Sequence, residues 1–452
     1  MTASPPLARF ARLRREMRAS AVLAAPLVLG QLASMAMGVI DTVLAGWHGP
    51  VTLAAVGVGS AMWNIAFLIA IGVLLAIPPS VSQLNGAGRR AEIGPLFRQS
   101  LWLAGALGVG LCLVVHALPL ALPAIGVSRE TQQPATGFLH AVAWGAPALA
   151  FQLALRNLSD GIGWTRPTMI FGLGGLAVLA PLGWWLMFAW DLGATGLGIA
   201  TAVVLWLQAL GLLAYLRFER HYHDLDLFAR FEPPRWEPIR ALLALGLPMG
   251  VSVFMEGSLF VATALLIARL GTVQIAAHQI AVLMASVTFM VPFGVAMATT
   301  VRVGHAAGAG DASGVRWAGA AGYGLCLGAQ VLAAAVMIAW ARPLAGLITG
   351  DAAIAALAAT LLGYAAVFQL PDGVQALSNG ALRGLKDTRV PMAVTVLAYW
   401  GMGVPLGAWL GLSRGLGAPG LWIGLICGLT VAAALLAWRF WRLAWRPLVP
   451  VP

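Results

Sequence analysis

Residues 101–122 read LWLAGALGVGLCLVVHALPLAL, a run that contains no Asp, Glu, Lys or Arg. A helix needs about 20 mostly apolar residues to cross a bilayer, so this run is long enough for one span. Charge clusters and Gly/Pro breaks divide the chain into twelve such stretches, which begin near residues 21, 51, 97, 134, 167, 194, 241, 274, 315, 352, 390 and 417. The sequence therefore predicts an all-α integral membrane protein with twelve transmembrane helices.

The composition excludes an ordinary soluble enzyme or binding module. Of the 452 residues, 60% are hydrophobic and 10% are charged, whereas soluble domains carry about 25% charged residues. The three cysteines stand singly in apolar runs, which argues against a disulfide framework and against a CxxC metal site. We interpret the first apolar stretch as a retained helix and not as a cleaved signal peptide.

The basic residues indicate the orientation of the chain. One alternate set of loops, together with both termini, holds 23 of the 27 Lys and Arg residues, and the other set holds four: Arg129, Arg269, Arg342 and Arg414. Because Lys and Arg accumulate in cytoplasmic loops, both termini are predicted to be cytoplasmic. The net charge of +11 is then a topology signal, and no nucleic-acid partner is expected.

The longest polar segment, residues 217–240, carries five arginines and five acids. It predicts a cytoplasmic linker, residues 219–240, between an N-terminal lobe (residues 1–218) and a C-terminal lobe (residues 241–452). The pair His221 and His223 within it has the types for a metal site, but a solvated loop is the preferred interpretation.

The two predicted lobes share an internal repeat. Its aligned features are Pro26 with Pro248 and residues 86–88 with 308–310 at an offset of 222, and residues 181–185 with 405–409 at an offset of 224. Each lobe has six spans, so both enter the membrane from the same side and form parallel lobes about a pseudo-two-fold axis. Parallel repeats of this kind are typical of transporters that alternate access by rocking one half against the other.

Three acids lie inside apolar spans, where a charge costs about 2.5–3.5 kcal/mol on insertion scales. They are Asp41 in the first span, Glu256 in the seventh and Asp372 in the tenth. Burial favours the neutral form of a carboxyl group, so these acids are candidates for ion coupling by proton exchange or by binding a cation in the proton's place. Hydrogen bonding of protonated acids between helices is the alternative interpretation.

A cation site is most plausible at Asp372, because Pro371 cannot hydrogen-bond to the carbonyl of Val367 and leaves it available beside the carboxylate. A cavity for flat cations is a further hypothesis, with candidates of two kinds, polar and aromatic. They are Asp41, Gln31, Ser34, Gln279, Trp63, Phe289, Phe293 and Phe368. Helix–helix hydrogen bonding and aromatic packing explain the same residues equally well.

Four further stretches carry a resemblance to a known family: residues 39–46 (VIDTVLAG), 83–88 (QLNGAG), 301–305 (VRVGH) and 382–388 (LRGLKDT). With them the chain resembles the multidrug and toxic compound extrusion (MATE) transporters, in particular the NorM branch, from Pro26 to about Ala437. The resemblance implies a MATE-like, two-lobed antiporter that works without a cofactor and exports amphipathic, mostly cationic drugs and dyes against inward H⁺ or Na⁺.

The resemblance also assigns roles to residues. Asp41, Glu256 and Asp372 match the acids that the family carries in its first, seventh and tenth helices, and Glu256 with Asp372 would hold a Na⁺ ion. Some sodium-coupled relatives place a Tyr where this chain has Phe368, which offers no hydroxyl. The implied setting is the bacterial inner membrane, among membrane lipids and as a monomer.

Three rival functions stay open at this point. A lipid or oligosaccharide flippase of the same superfamily is the nearest, although its cavity would be cationic and the intramembrane charges here are acidic. A membrane enzyme lacks support, because the sequence has no HExxH and no P-loop motif. An ion channel lined by the internal acids is the third.

Overall fold

The computed structural model describes residues 6–447, with side chains from residue 11 onward, and this part of the chain contains helices but no strand. The helices are α1 (Pro6–His48), α2 (Pro50–Leu74), α3 (Ile77–Gly86), α4 (Ile93–Ala117), α5 (Arg129–Ala143), α6 (Ala146–Gly161), α7 (Arg166–Trp184), α8 (Gly193–Phe218), α9 (Trp236–Ala268), α10 (Thr272–Gly308), α11 (Ala312–Ala339), α12 (Ala341–Ile348), α13 (Ala352–Gly384), α14 (Arg389–Val396), α15 (Val404–Ala408) and α16 (Ala418–Ala444). Three π-helical segments continue α7, α14 and α15: Trp185–Ala189, Leu397–Gly403 and Trp409–Ser413.

The predicted membrane fold is confirmed. Among the described residues, 11 helical spans are long and apolar enough to cross a bilayer, and α5 with α6, bent by 43° at their junction, would be the twelfth. Large apolar side chains such as Leu113, Leu265 and Leu332 are well exposed on these helices. In lipid each backbone polar group must be satisfied within the protein, which is why apolar runs of this length become helices.

The predicted repeat is visible in the backbone. Gly49 and Gly271 precede α2 and α10 with φ of 145° and 109°, and Gly88 and Gly310 follow α3 and α10 with φ of 74° and 70°. Each pair is separated by 222 residues, the offset of the sequence repeat. Positive φ favours glycine, so the same turn is built by the same residue in both halves.

The chain forms two compact units. One, the continuous unit, is Leu29–Gly250, and the other, the discontinuous unit, combines Met1–Val28 with Val251–Pro452. The boundaries fall inside α1 and α9, two residues after the internal prolines Pro26 and Pro248. The units therefore differ from the predicted lobes. The first part of α1 belongs to the unit that holds the rest of the C-terminal half, and the first part of α9 belongs to the continuous unit.

Glycine contacts explain this exchange. Within the continuous unit, α9 crosses α2 so closely that a Cβ added to Gly72 would overlap the backbone of Gly250, and one added to Gly246 would overlap Val73. Within the discontinuous unit, α10 meets α1 in the same way, at Gly294 and Val28. Gly72 and Gly294 are 222 residues apart and are therefore equivalent positions in the repeat. Gly72 contacts the first part of α9, and Gly294 contacts the first part of α1.

A single methyl group at Gly72 should destabilise the protein. Gly72→Ala forces two backbones apart, for which overpacking data suggest about 1–3 kcal/mol, and we expect a lower melting temperature of the detergent-purified protein. Gly57, on the same helix, has no atom within 4 Å of an added Cβ. Gly57→Ala is the matched control and should be neutral or slightly stabilising. Equal melting temperatures for the two variants would contradict the close crossing.

Candidate functional site

Asp372 is held in place by α11. Asp372 follows Pro371 inside α13, and α11 fixes the helix on both sides of it. The Gln330 side-chain amide donates to the Gln369 carbonyl at 2.8 Å, and the Cys326 thiol donates to the Gly373 carbonyl at 3.2 Å. Asp372 itself is only 5% exposed. The carboxylate is thus buried on a stretch of helix that cannot easily shift.

Glu256 lies on α9 and lines the same small cavity as Asp372, within the discontinuous unit. The cavity measures about 90 Å³ and is lined by Glu256, Phe260, Val282, Ala285, Ser286, Phe289, Met290, Phe368 and Asp372. A cavity of this volume has room for several waters or a partly hydrated ion. Ligand pockets for drug-sized molecules are about 300–1,000 Å³, so this cavity has the size of an ion site.

The charges in this cavity are coupled. Glu256 and Asp372 interact electrostatically with each other, and the Arg383 guanidinium, on the last turn of α13, interacts with Glu256. Two neighbouring carboxylates resist simultaneous ionisation, so the pair favours sharing a proton or binding a cation. Arg383 supplies a basic partner for these acids.

Two residues that sequence analysis missed complete the site. Gln375 lies one turn after Asp372, and Tyr399 lies on the π-helical segment Leu397–Gly403; both are fully buried and close to Glu256. The Gln375 amide lies within hydrogen-bonding reach of the Glu256 carboxylate and of the Tyr399 hydroxyl. Buried polar groups are almost always hydrogen-bonded, so these three side chains form one buried polar cluster at the cavity.

Some of the predicted cavity residues line this cavity and others do not. Phe289 and Phe368 line it, and Phe368 packs edge-on against Trp422 with ring centroids 5.6 Å apart. Phe293 stacks on Phe289 at 5.8 Å and forms a second layer. Gln279, on α10, is exposed and does not line the cavity. Four predicted residues are therefore brought together: Glu256, Asp372, Phe289 and Phe368.

The remaining candidates belong to the continuous unit. Gln31, Ser34 and Asp41 lie on α1, and Trp63 lies on α2. The Ser34 hydroxyl donates to the Gly30 carbonyl, and Trp63 packs against Phe67. The Asp41 carboxylate has a buried oxygen without a hydrogen-bond partner among the described residues. Asp41 is thus the third acid inside a span, and hydrogen bonding between helices does not account for its buried oxygen.

A further buried acid lies at the end of α6. Asp160, in the last turn of α6, is 1% exposed; it accepts a hydrogen bond from the Thr168 hydroxyl at 2.7 Å and lies 3.9 Å from the Arg156 guanidinium. The i, i+4 spacing of Arg156 and Asp160 is the signal that the sequence offered. This local pairing indicates a structural ion pair.

Comparison with known proteins identifies the family. The MatE family model matches residues 26–185 and again residues 248–409. The chain belongs to the MatE family. The two matches begin at Pro26 and Pro248 and end at Trp185 and Trp409, pairs that the internal comparison of the sequence also aligns. The predicted repeat and the family resemblance are both confirmed.

Similar proteins cover nearly the whole MatE chain. The probable multidrug resistance protein NorM of Xanthomonas campestris pv. campestris is 52% identical over 433 residues, which cover 95% of this chain and 94% of that protein. The multidrug resistance protein PmpM of Pseudomonas aeruginosa is 41% identical, with 98% and 94% covered. These names agree with the NorM branch and with the prediction that the chain is not an enzyme.

Solved structures share the fold of this MatE protein. The outward-facing conformation of a multidrug resistance MATE family transporter of the MOP superfamily aligns with a TM-score of 0.88 at 20% sequence identity. The alignment covers 95% of this chain and 96% of that one. At this identity the likeness shows the fold and not the function.

Proposed function

We propose that this MatE protein is a multidrug efflux antiporter, which exports amphipathic, mostly cationic compounds in exchange for inward H⁺ or Na⁺. The observation that carries the proposal is the cavity that holds Glu256 and Asp372, with the buried polar side chains of Gln375 and Tyr399 close to Glu256. The cargo class is supported by relatives that are named multidrug resistance proteins.

The chemistry of the cavity suits the coupling ion. Carboxylate, amide and hydroxyl oxygens are ligands for hard cations such as Na⁺, and Glu256, Asp372, Gln375 and Tyr399 offer them within one cluster. The Tyr399 hydroxyl could serve in place of the one that Phe368 lacks. A proton bound by either carboxylate would relieve the same repulsion, so both ions fit the same residues.

Coupling follows from competition for the negative charge. An ion entering from outside neutralises Glu256 and Asp372; after reorientation it leaves to the cytoplasm, and the emptied carboxylates attract the next cationic substrate. Such exchange requires that ion and drug differ in their affinities for the two states. A cavity of about 90 Å³ admits the ion and excludes a drug, so the drug's charge reaches these acids only when the cavity widens.

The units support a rocking motion, in which the chain bends where it passes from one unit to the other. Both unit boundaries lie two residues after a proline inside a helix, at Pro26 in α1 and Pro248 in α9. A proline removes a helix hydrogen bond and so permits the helix to bend there. Asp41, in the continuous unit, would be the proton-linked or substrate-linked acid, with Gln31, Ser34 and Trp63 as candidates for drug contact.

The same proposal includes the setting of the protein. With the loops that hold 23 of the 27 Lys and Arg residues on the inside, both termini are cytoplasmic and the protein spans the bacterial inner membrane. A single chain carries both repeats and can act as a monomer. A flippase for phosphate-bearing lipid or oligosaccharide is less well supported, because the buried charges at the cavity are mainly carboxylates.

Reconstitution in liposomes tests the function and identifies the ion. Purified protein should move ethidium against its gradient when a pH gradient or a Na⁺ gradient is imposed, with the two gradients applied separately. The gradient that drives movement identifies the coupling ion. Ethidium that only equilibrates would indicate a channel, and no movement under either gradient by folded protein would return the flippase to first place.

A further inference from the structure

The polar linker is bound to α4 and is not a freely solvated loop. The Arg98 guanidinium donates to the Asp226 carbonyl at 2.6 Å and to the Glu232 carboxylate at 2.7 Å. The Trp102 indole N–H donates to the Glu232 carbonyl at 2.9 Å, and the Gln99 amide donates to the Pro233 carbonyl at 3.0 Å. These contacts, all within the continuous unit, hold the end of the linker against the first turns of α4.

Between the linker and α4 runs a groove of about 850 Å³. It is lined by Arg98, Leu101, Trp102, Gly105, Ala106, Val109, Pro147, Phe151, Leu227, Phe228, Arg230, Phe231 and Glu232. Its floor is apolar and its charges are gathered at the linker end. A ligand that fills it must therefore be amphipathic, with a long apolar part and a charged head.

The groove opens onto a lipid-facing stripe of α4. Trp102, Ala106, Val109 and Leu113 recur at helical spacing and are all exposed, Val109 by 56% and Leu113 by 66%. From Trp102 to Leu113 the helix rises about 16 Å, roughly half of the ~30 Å hydrocarbon core of a bilayer. The stripe is therefore about as long as the hydrocarbon layer of one leaflet, which one acyl chain spans.

The head of the groove carries a net positive charge. Glu232 is buried and is shared by two arginines, since Arg230 also donates to its carboxylate, at 2.8 Å. These hydrogen bonds lower the pKa of Glu232 to about 2, so the acid stays ionised and neutralises one of the two guanidinium groups. The other charge remains, and the Arg230 side chain is 67% exposed at the rim.

We propose that this groove binds one anionic phospholipid, with its phosphate on Arg230 and an acyl chain along the α4 stripe. Basic pockets beside transmembrane helices recognise anionic head groups in this way. A free inorganic phosphate would leave the apolar floor uncovered, and a cationic drug would meet a like charge. The proposal concerns a structural lipid site and does not depend on the transport function proposed above.

Native mass spectrometry of detergent-purified protein, offered equal amounts of palmitoyl-oleoyl phosphatidylglycerol and phosphatidylcholine, tests the site. The wild-type protein should retain one phosphatidylglycerol with about fivefold preference, the selectivity that one basic residue near a head group gives. Arg230→Gln should reduce this preference to about one while total bound lipid stays similar. Arg240→Gln removes another exposed arginine, in the first turns of α9, and should leave the preference unchanged.

A second variant tests whether the groove holds the acyl chain. It also provides a test of the proposal if Arg230→Gln does not fold. A Cβ at Gly105 would meet only Phe151, at 3.5 Å, so Gly105→Leu should fold, fill the groove and lower retention of both lipids. Gly110→Leu is the matched control, since an added Cβ there has nothing within 4 Å. Equal retention of both lipids by the wild type, or wild-type retention by both test variants, would overturn the proposal. So would release of the lipid by micromolar ethidium.

Discussion

Glu256→Gln and Asp372→Asn should each abolish gradient-driven ethidium efflux from liposomes, reducing it to the rate of protein-free vesicles. The carboxamides keep the shape of the side chains but can neither release a proton at neutral pH nor supply the negative charge that holds Na⁺. Asp372→Asn also removes the repulsion between the two acids, so this variant should melt at or above the wild-type temperature. Glu256→Gln removes the counter-charge of buried Arg383 as well, so it should melt at a lower temperature than Asp372→Asn.

The control for this prediction lies on the same helix as Glu256. Glu237→Gln makes the same chemical change at an exposed position in the first turn of α9 and should leave efflux unchanged. If either cavity variant transports at the wild-type rate while remaining monodisperse, the pair is not the coupling site. Asp41 would then be the next acid to test.

Arg98→Gln should release the linker from α4. The substitution leaves the Asp226 carbonyl without its donor and leaves buried Glu232 with Arg230 as its only charged partner, and breaking a buried ion pair from one side is strongly destabilising. Exposed Arg230 and Arg235 lie within the released segment. Trypsin cleavage there should accelerate about tenfold or more, in proportion to the population of the open state.

Two further variants define what the Arg98 contacts contribute. Arg98→Lys keeps the charge but lacks the planar fork that serves a carboxylate and a carbonyl together, so its cleavage rate should be intermediate. Arg240→Gln, an exposed change close to the same segment, should be cleaved at the wild-type rate. Cleavage of Arg98→Gln at that rate too would show that the linker is held by other contacts.

The sequence was sufficient for the spans and the repeat because a bilayer imposes both. Apolar runs of span length must become helices in lipid, and a duplicated half leaves aligned prolines and glycines such as Pro26 and Pro248. The same reasoning identified Glu256 and Asp372 as costly acids. It could not place them in one cavity, since they lie more than a hundred residues apart and only the tertiary structure brings them together.

Three parts of the structure lay beyond sequence reasoning for stated physical reasons. Tyr399 occupies a π-helical segment, where the helical spacing used to assign faces does not hold. The linker contacts of Arg98 go largely to backbone carbonyls, which every residue carries, so composition gave no sign of them. The unit boundaries depend on close crossings at Gly72 and Gly294; the repeat aligns these two glycines, but no linear pattern shows that another helix crosses there.

The exchange of half-helices between the units constrains how the protein is made. The first part of α1 emerges from the ribosome before the other helices, yet the rest of its unit begins only at Val251. This helix segment must therefore wait until more than half of the described chain has been synthesised. The continuous unit in turn is incomplete until α9 has been started and Gly250 can dock on Gly72. Each half of the repeat thus packs against the first helix segment of the other half. A half expressed alone would lack that segment, and the surface around Gly72 or Gly294 would be exposed.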